Sequence, residues 1–247
     1  MNPIAHFGKY LQMLGGMFTK PESGKMYWKE FMKQCVDIGI GSLPIVAIIS
    51  VFLGSVTTVQ TAYQLVSPII SRSTISQILR DSMILELSPT VVSIVLAGVV
   101  GSKIASELGN MSISEQIDAY EIMGINTKAY LISPKIIAAL FIIPMLIILS
   151  IALGIIGGRL VASTSGIISV YDFDKGLREG FDPFNLKFAI IKAYTFAFIV
   201  STVPAYFGYY VRGGALEIGK ASTTAVVVSC ILILFADYGL AALLLSK

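Results

Sequence analysis

Five long apolar runs, residues 38–65, 87–105, 136–156, 188–211 and 223–245, organise the chain, with short polar stretches between them. A helix rises about 1.5 Å per residue, so about 20 residues cross a hydrocarbon layer about 30 Å thick, and each run reaches that length or nearly so. The pattern predicts an all-α membrane protein with five transmembrane helices and its two termini on opposite sides. The first run carries Gly39, Gly41, Pro44 and Gly54, which predicts a kinked helix packed closely on other protein.

Residues 1–35 follow a different rule. Ile4, Phe7, Leu11, Leu14 and Phe18 recur every three to four residues among His6, Lys9 and Gln12, the pattern of an amphipathic helix lying in the membrane interface. From Lys20 to Lys33, Tyr27 and Trp28 stand among four lysines, the aromatic and basic mixture found at headgroup level. Between the second and third runs, Ser112 and Glu115 have the spacing of a capping box and Gly124 is a natural helix stop, so residues 112–123 are expected to form a short cytoplasmic helix. Ile113, Ile117 and Tyr120 fall on one face. Glu115, Asp118, Glu121 and Ile122 fall on the other, giving a largely acidic surface suited to docking on a partner. The plain alternative is a solvated helix resting on the bilayer.

Composition agrees. Hydrophobic residues make up 55% of the chain and charged residues 13%, with a mean hydropathy of +0.80, outside the range of water-soluble domains. The 247 residues leave little beyond one membrane domain, 1–247. The 18 lysines and arginines sit singly between apolar runs, which sets nucleic acid aside as a partner. Cys35 and Cys230 read as small apolar packing residues, and no cleavable signal is expected at the N-terminus. Ten cations on the N-terminal side against seven on the other favour a cytoplasmic N-terminus.

No residue cluster suggests catalysis. Glu86 and Glu107 bracket the second run, while Lys192 and Asp237 lie inside the fourth and fifth; at membrane depth such groups snorkel, pair or face a polar cavity. His6 has no second ligand nearby and reads as interfacial, with no metal expected. Gly214 to Lys220 matches most of a phosphate-binding loop, but Ala221 stands where a hydroxyl is needed and the preceding segment is a membrane run, so no nucleotide hydrolysis is expected of this chain. Gly154 and Gly158 form a GxxxG pair that suits close helix packing.

The second run and the loop after it carry Glu86-Leu87-Ser88-Pro89, Ala97-Gly98-Val99-Val100-Gly101, Ser106-Glu107-Leu108-Gly109-Asn110-Met111 and Glu115-Gln116-Ile117-Asp118-Ala119-Tyr120-Glu121-Ile122-Met123. Together with Phe52-Leu53-Gly54 and Gln60, Ser133-Pro134-Lys135, and Gly219 to Val227 with Asp237, these resemble the MlaE permease family, the membrane subunits of bacterial ABC lipid transporters associated with MCE-domain proteins. The departures are Leu85 and Val99, where that family commonly has arginines, Lys135 in place of another, and Thr127 in place of a proline. Without those arginines, no ion pair is expected at Glu86.

The resemblance implies a homodimer in the bacterial inner membrane, enclosing a cavity for phospholipid or a related lipid. Phe52, Val56, Gln60 and Glu86 would be among its wall residues. It implies a cytoplasmic ABC ATPase docked through Glu107, Glu115, Gln116, Asp118 and Glu121, with ATP bound by that partner and no cofactor in this chain. A periplasmic MCE-domain protein would exchange lipid with the cavity, and the transport would maintain outer-membrane lipid asymmetry. The rival readings are an autonomous secondary transporter or channel, which needs a buried path of charges, and a membrane-embedded enzyme, which needs clustered His, Asp or Cys.

Overall fold

The computed structural model describes residues 3–17, 24–65 and 71–244, and regular structure among them is helical throughout. Phe18, Lys20 and the last residue of the fifth run, Leu245, lie outside the described residues. In chain order the helices are α1 (Pro3–Gly16), α2 (Gly24–Gln64), α3 (Ser73–Ser82), α4 (Val92–Leu96), α5 (Ser102–Ile113), α6 (Gln116–Ile122), α7 (Ser133–Thr164), α8 (Val170–Arg178), α9 (Pro183–Tyr209) and α10 (Ala215–Leu244). Wider π-type turns at Met83–Val91 and Ala97–Gly101 join α3, α4 and α5 into one continuous rod, and a third, Lys128–Ile132, leads into α7. Five segments are long and apolar enough to cross a membrane: Gly24–Gln64, Ser73–Ile113, Lys128–Thr164, Pro183–Tyr209 and Ala215–Leu244.

The spans outrun the apolar runs that announce them. Nothing between Gly24 and Gln64 stops a helix except Pro44, which the long α2 absorbs, so residues 24–35 continue the first membrane helix and carry Lys25, Lys29 and Lys33 on it. In the second span Pro89 falls inside the first π-type segment. Proline has no N–H to give and its ring crowds the turn before it, and a widened turn relieves both.

The chain divides into two compact bodies, residues 1–41, 96–142 and 197–235 in the first, and 42–95, 143–196 and 236–247 in the second. In the first, α1 is tied to α9: the His6 ring and the Tyr206 hydroxyl share a 2.7 Å hydrogen bond, and Tyr10 donates to Thr202 at 2.7 Å. Burial pushes the Tyr10 phenol above its usual range, partly offset by that bond. Met13 is fully enclosed, while Phe7 and Leu11 stay exposed. In the second body α2 and α7 cross with their backbones touching, since a methyl on Gly54 would overlap the carbonyl of Gly154 and one on Gly157 would overlap the backbone of Val51. At the start of the second span, Arg80 clamps α3 to the end of α8 by donating to the carbonyls of Leu177, Glu179 and Gly180 at 2.8 to 3.2 Å, and Ser169 caps α8 by accepting from the Asp172 N–H.

Candidate functional site

The acidic helix between the second and third spans forms one wall of a groove of about 570 Å³, whose other wall is the end of α9 and the turn after it. Glu115, Asp118 and Glu121 line it together with Lys128, Tyr209 and Arg212. The expected capping box at Ser112 and Glu115 does not form. The α5 helix runs on through Ser112, whose hydroxyl donates to the carbonyl of Val211 at 3.0 Å, and the break falls at Glu115, which takes a left-handed backbone with φ of 58° and makes no side-chain cap. A left-handed turn costs an L-residue about 1–2 kcal/mol, so the position is held by its surroundings rather than chosen by glutamate.

The helix, now Gln116–Ile122, ends where Gly124 predicts. Gly124 adopts φ of 81°, its N–H reaches the carbonyl of Glu121, and the Ile125 N–H reaches that of Tyr120. Those are the two bonds of a Schellman stop. Glu121 is the fixed member of the acidic set: the hydroxyls of Thr127 and Tyr209 lie 3.0 and 3.1 Å from the same carboxylate oxygen and 2.6 Å from each other. Two hydroxyl protons serve three such contacts, and a carboxylate is the strongest acceptor available, so at least one points at Glu121. Glu115, Gln116 and Asp118 are exposed, and their side chains make no hydrogen bond or ion pair among the described residues. Glu107 is not part of the groove; it lies 2.7 Å from the buried ammonium of Lys135.

A second polar constellation, in the other body, overturns the expectation that Glu86 lacks an ion pair. Lys192 on α9 is fully enclosed; its ammonium donates to Glu86 at 2.8 Å and to the carbonyl of Leu85 at 2.9 Å, and lies 2.6 Å from a carboxylate oxygen of Asp237. Thr90 bridges the carboxylates, 3.2 Å from Asp237 and 3.3 Å from Glu86, and the ammonium also lies 4.8 Å from the centre of the Phe188 ring. The cation thus comes from the fourth span, where the arginines that Leu85 and Val99 replace would have come from the second. Glu86 sits on the π-type segment Met83–Val91, a distortion of the kind that recurs at functional positions. With one ammonium and two carboxylates, the set carries a net charge of −1 when all are ionised.

The expected cavity-wall residues of α2 share one exposed side. Phe52, Val56 and Gln60 recur every four residues and all are open, as are Ile48 and Tyr63. In their most apolar stretches α2 and α10 have only 22% and 11% of residues enclosed, against 50% to 67% for the other three spans. Gly214 to Lys220 lies mostly in the first turns of α10, with Lys220 paired to Glu217 at 2.7 Å.

The sequence pattern of the family described as Permease MlaE matches residues 31–243, which takes in both constellations and most or all of each of the five spans. The chain belongs to the MlaE permease family. This MlaE-family chain is 35% identical to a "Probable ABC transporter permease protein" of Rickettsia bellii, over 86% of its own length and 82% of the relative's. It is 32% identical to the chloroplastic protein TRIGALACTOSYLDIACYLGLYCEROL 1 of Arabidopsis thaliana, covering 87% of this chain and 61% of that one. It is 28% identical to the "Intermembrane phospholipid transport system permease protein MlaE" of Haemophilus influenzae, covering 94% and 88%. The MlaE-family chain is therefore a multi-pass membrane permease of the ABC-transporter type.

Proposed function

We propose that the chain is the membrane subunit of an ATP-driven transporter that moves phospholipid between the bacterial inner membrane and a periplasmic MCE-domain partner, maintaining outer-membrane lipid asymmetry. Two copies pair, the exposed sides of α2 and α10 supply the apolar wall against which lipid rests, with Phe52, Val56 and Gln60 on α2, and Glu86 of the second span lines the same cavity. The N-terminus is cytoplasmic, and ATP is bound by a cytoplasmic ATPase that docks on α6. The phospholipid assignment draws on the name of the Haemophilus relative.

The observation that carries the reading is the build of α6. Its exposed side combines the unpaired carboxylates of Glu115 and Asp118 with Ile122 and Met123, two large apolar side chains exposed at 87% and 63%. Glu121, tied to Tyr209 and Thr127, anchors the helix from behind. An apolar knob ringed by charge on a braced helix is the anatomy of a docking element. Movement of the ATPase would then pass from α6 into the second span through α5, turning nucleotide binding into a packing change among membrane helices.

The test is the double substitution Glu115→Lys with Asp118→Lys, assayed by binding of the purified permease to its ATPase. Affinity is expected to fall about tenfold or more, through like-charge contact on a basic or mixed groove. Thermal stability of the permease alone should stay within about 0.5 kcal/mol of the parent, since both positions are exposed. Unchanged affinity would remove α6 as the docking element.

A further inference from the structure

In the second span, two π-type segments, Met83–Val91 and Ala97–Gly101, flank α4, a piece of α-helix only five residues long. A π-type turn bonds each N–H one residue further back than an α-turn does, so it stores a residue that the helix can release without leaving a backbone group unpaired in the membrane. When one widened turn tightens and the other takes up the slack, the piece between them advances by one residue. That is about 1.5 Å along its axis and about 100° around it.

The side chains of α4 suit two registers. Val92, Ser93 and Leu96 are enclosed, while Val91, Ile94 and Val95 are half-buried. Ser93 is out of place among them, because its hydroxyl is buried with no hydrogen-bond partner among the described residues. Hydroxyls elsewhere in the spans, such as those of Thr58 and Ser201, donate to the carbonyl four residues before them. For Ser93 that carbonyl belongs to Pro89, and it accepts the Val92 N–H instead. An advance of one residue toward α5 puts Val91 in the place of Val92, Val92 in that of Ser93, and Val95 in that of Leu96. All three enclosed places are then filled by valine, and Ser93 moves out to the half-buried place of Ile94.

Pro89 opposes the advance, since tightening Met83–Val91 toward α-geometry presses its ring on the turn before it. The other end is loose. A methyl on Gly98 would meet nothing within 4 Å, so packing does not ask for a glycine there, and glycine weakens helical geometry. The Ser102 hydroxyl donates to the carbonyls of Gly98 and Val99, a spare donor beside a turn that changes its own bonding.

We propose that α4 is a two-register element: Pro89 favours the register seen here, the stranded Ser93 hydroxyl disfavours it, and α4 advances by one residue when α6 is moved. For its driving force this rests on the reading of α6 as the ATPase docking helix, with α5 as the link. The step reaches Glu86, which sits on the tightening segment and accepts from Lys192. A push on α6 is thereby delivered to the buried charge cluster as a discrete step.

Ser93→Ala removes the stranded hydroxyl from the present register alone. The purified chain should unfold about 2–4 °C higher than the parent. In vesicles with its ATPase, ATP-driven movement of a fluorescent phospholipid should slow about tenfold, as the second register becomes that much rarer. Adding Pro89→Ala lifts the penalty on the second register and should recover most of the lost rate. A merely structural role would move stability and rate in the same direction. A midpoint that stays or falls in Ser93→Ala would mean that water satisfies the hydroxyl, and would overturn the proposal. So would a parental transport rate in Ser93→Ala, or a double variant no faster than Ser93→Ala alone. A parent complex that moves no phospholipid with ATP would instead remove the function proposed above, and the Ser93→Ala midpoint would still decide the register.

Discussion

Glu86 and Asp237 meet a cation sealed from solvent, whereas Glu115 and Asp118 meet none among the described residues. The same residue types do different work because their surroundings differ. Around Lys192 three oxygens lie within 2.9 Å of the ammonium, and removing it strands the Asp237 carboxylate at membrane depth. Around α6 the carboxylates are hydrated, contribute little to folding, and are free to meet a partner. In a permease these are complementary demands: helices that stay registered while they move, and a surface left available to whatever moves them.

The buried set is the place to break that contrast most severely. Lys192→Met removes the ammonium and leaves Asp237 with the Thr90 hydroxyl alone, and is expected to cost about 3–5 kcal/mol, read as a fall in the unfolding midpoint in mild detergent. Adding Asp237→Asn should recover part of the loss, because the stranded charge is then gone. A loss below about 1 kcal/mol for Lys192→Met would mean that water already shares the cluster.

Much of the architecture was legible because membrane spans are written in uninterrupted apolar length, and five runs became five spans. The stop at Gly124 was legible too, since glycine alone takes its φ of 81° without strain. The capping box failed for a tertiary reason: the hydroxyl of Ser112 is drawn to the carbonyl of Val211, 99 residues away, so α5 does not end there. The partner of Glu86 was hidden in the same way. Lys192 is 106 residues downstream in an apolar helix, and expecting arginine at Leu85 and Val99 directed attention to the second span alone. Only the count of ionisable groups inside the runs pointed to it: one lysine and one aspartate with no partner on their own helices.

A milder cut separates the braced member of the acidic groove from its free neighbours. Tyr209→Phe removes one of the two hydroxyls near Glu121 and should cost about 1–2 kcal/mol in the unfolding midpoint, with binding to the ATPase weakened because α6 is less firmly held. The paired changes at Glu115 and Asp118 should show the reverse profile, affinity lost and stability kept. If Tyr209→Phe left both quantities unchanged, Thr127 alone would be sufficient to brace the helix.

Arg159 and Asp174 sharpen the comparison, because their contacts are nearly as short as those of Lys192 but lie in the open. The guanidinium donates twice, at 2.9 and 2.8 Å, yet the two side chains are 48% and 41% exposed. Hydrogen bonding from Arg159 holds the Asp174 carboxyl below its usual range, against the pull of its own desolvation, with the charges of Arg159 and Arg178 adding to the lowering. A carboxyl whose folded value is depressed contributes its stability above the ordinary aspartate range, and loses it as pH falls through the lower folded value. The difference in unfolding midpoint between the parent and Asp174→Asn should therefore be small at neutral pH, begin to shrink below about pH 4 and vanish at still lower pH. It should also fade in high salt, which screens exposed pairs. A neutral-pH effect as large as that of Lys192→Met would contradict the view that enclosure, rather than contact distance, sets what these pairs contribute.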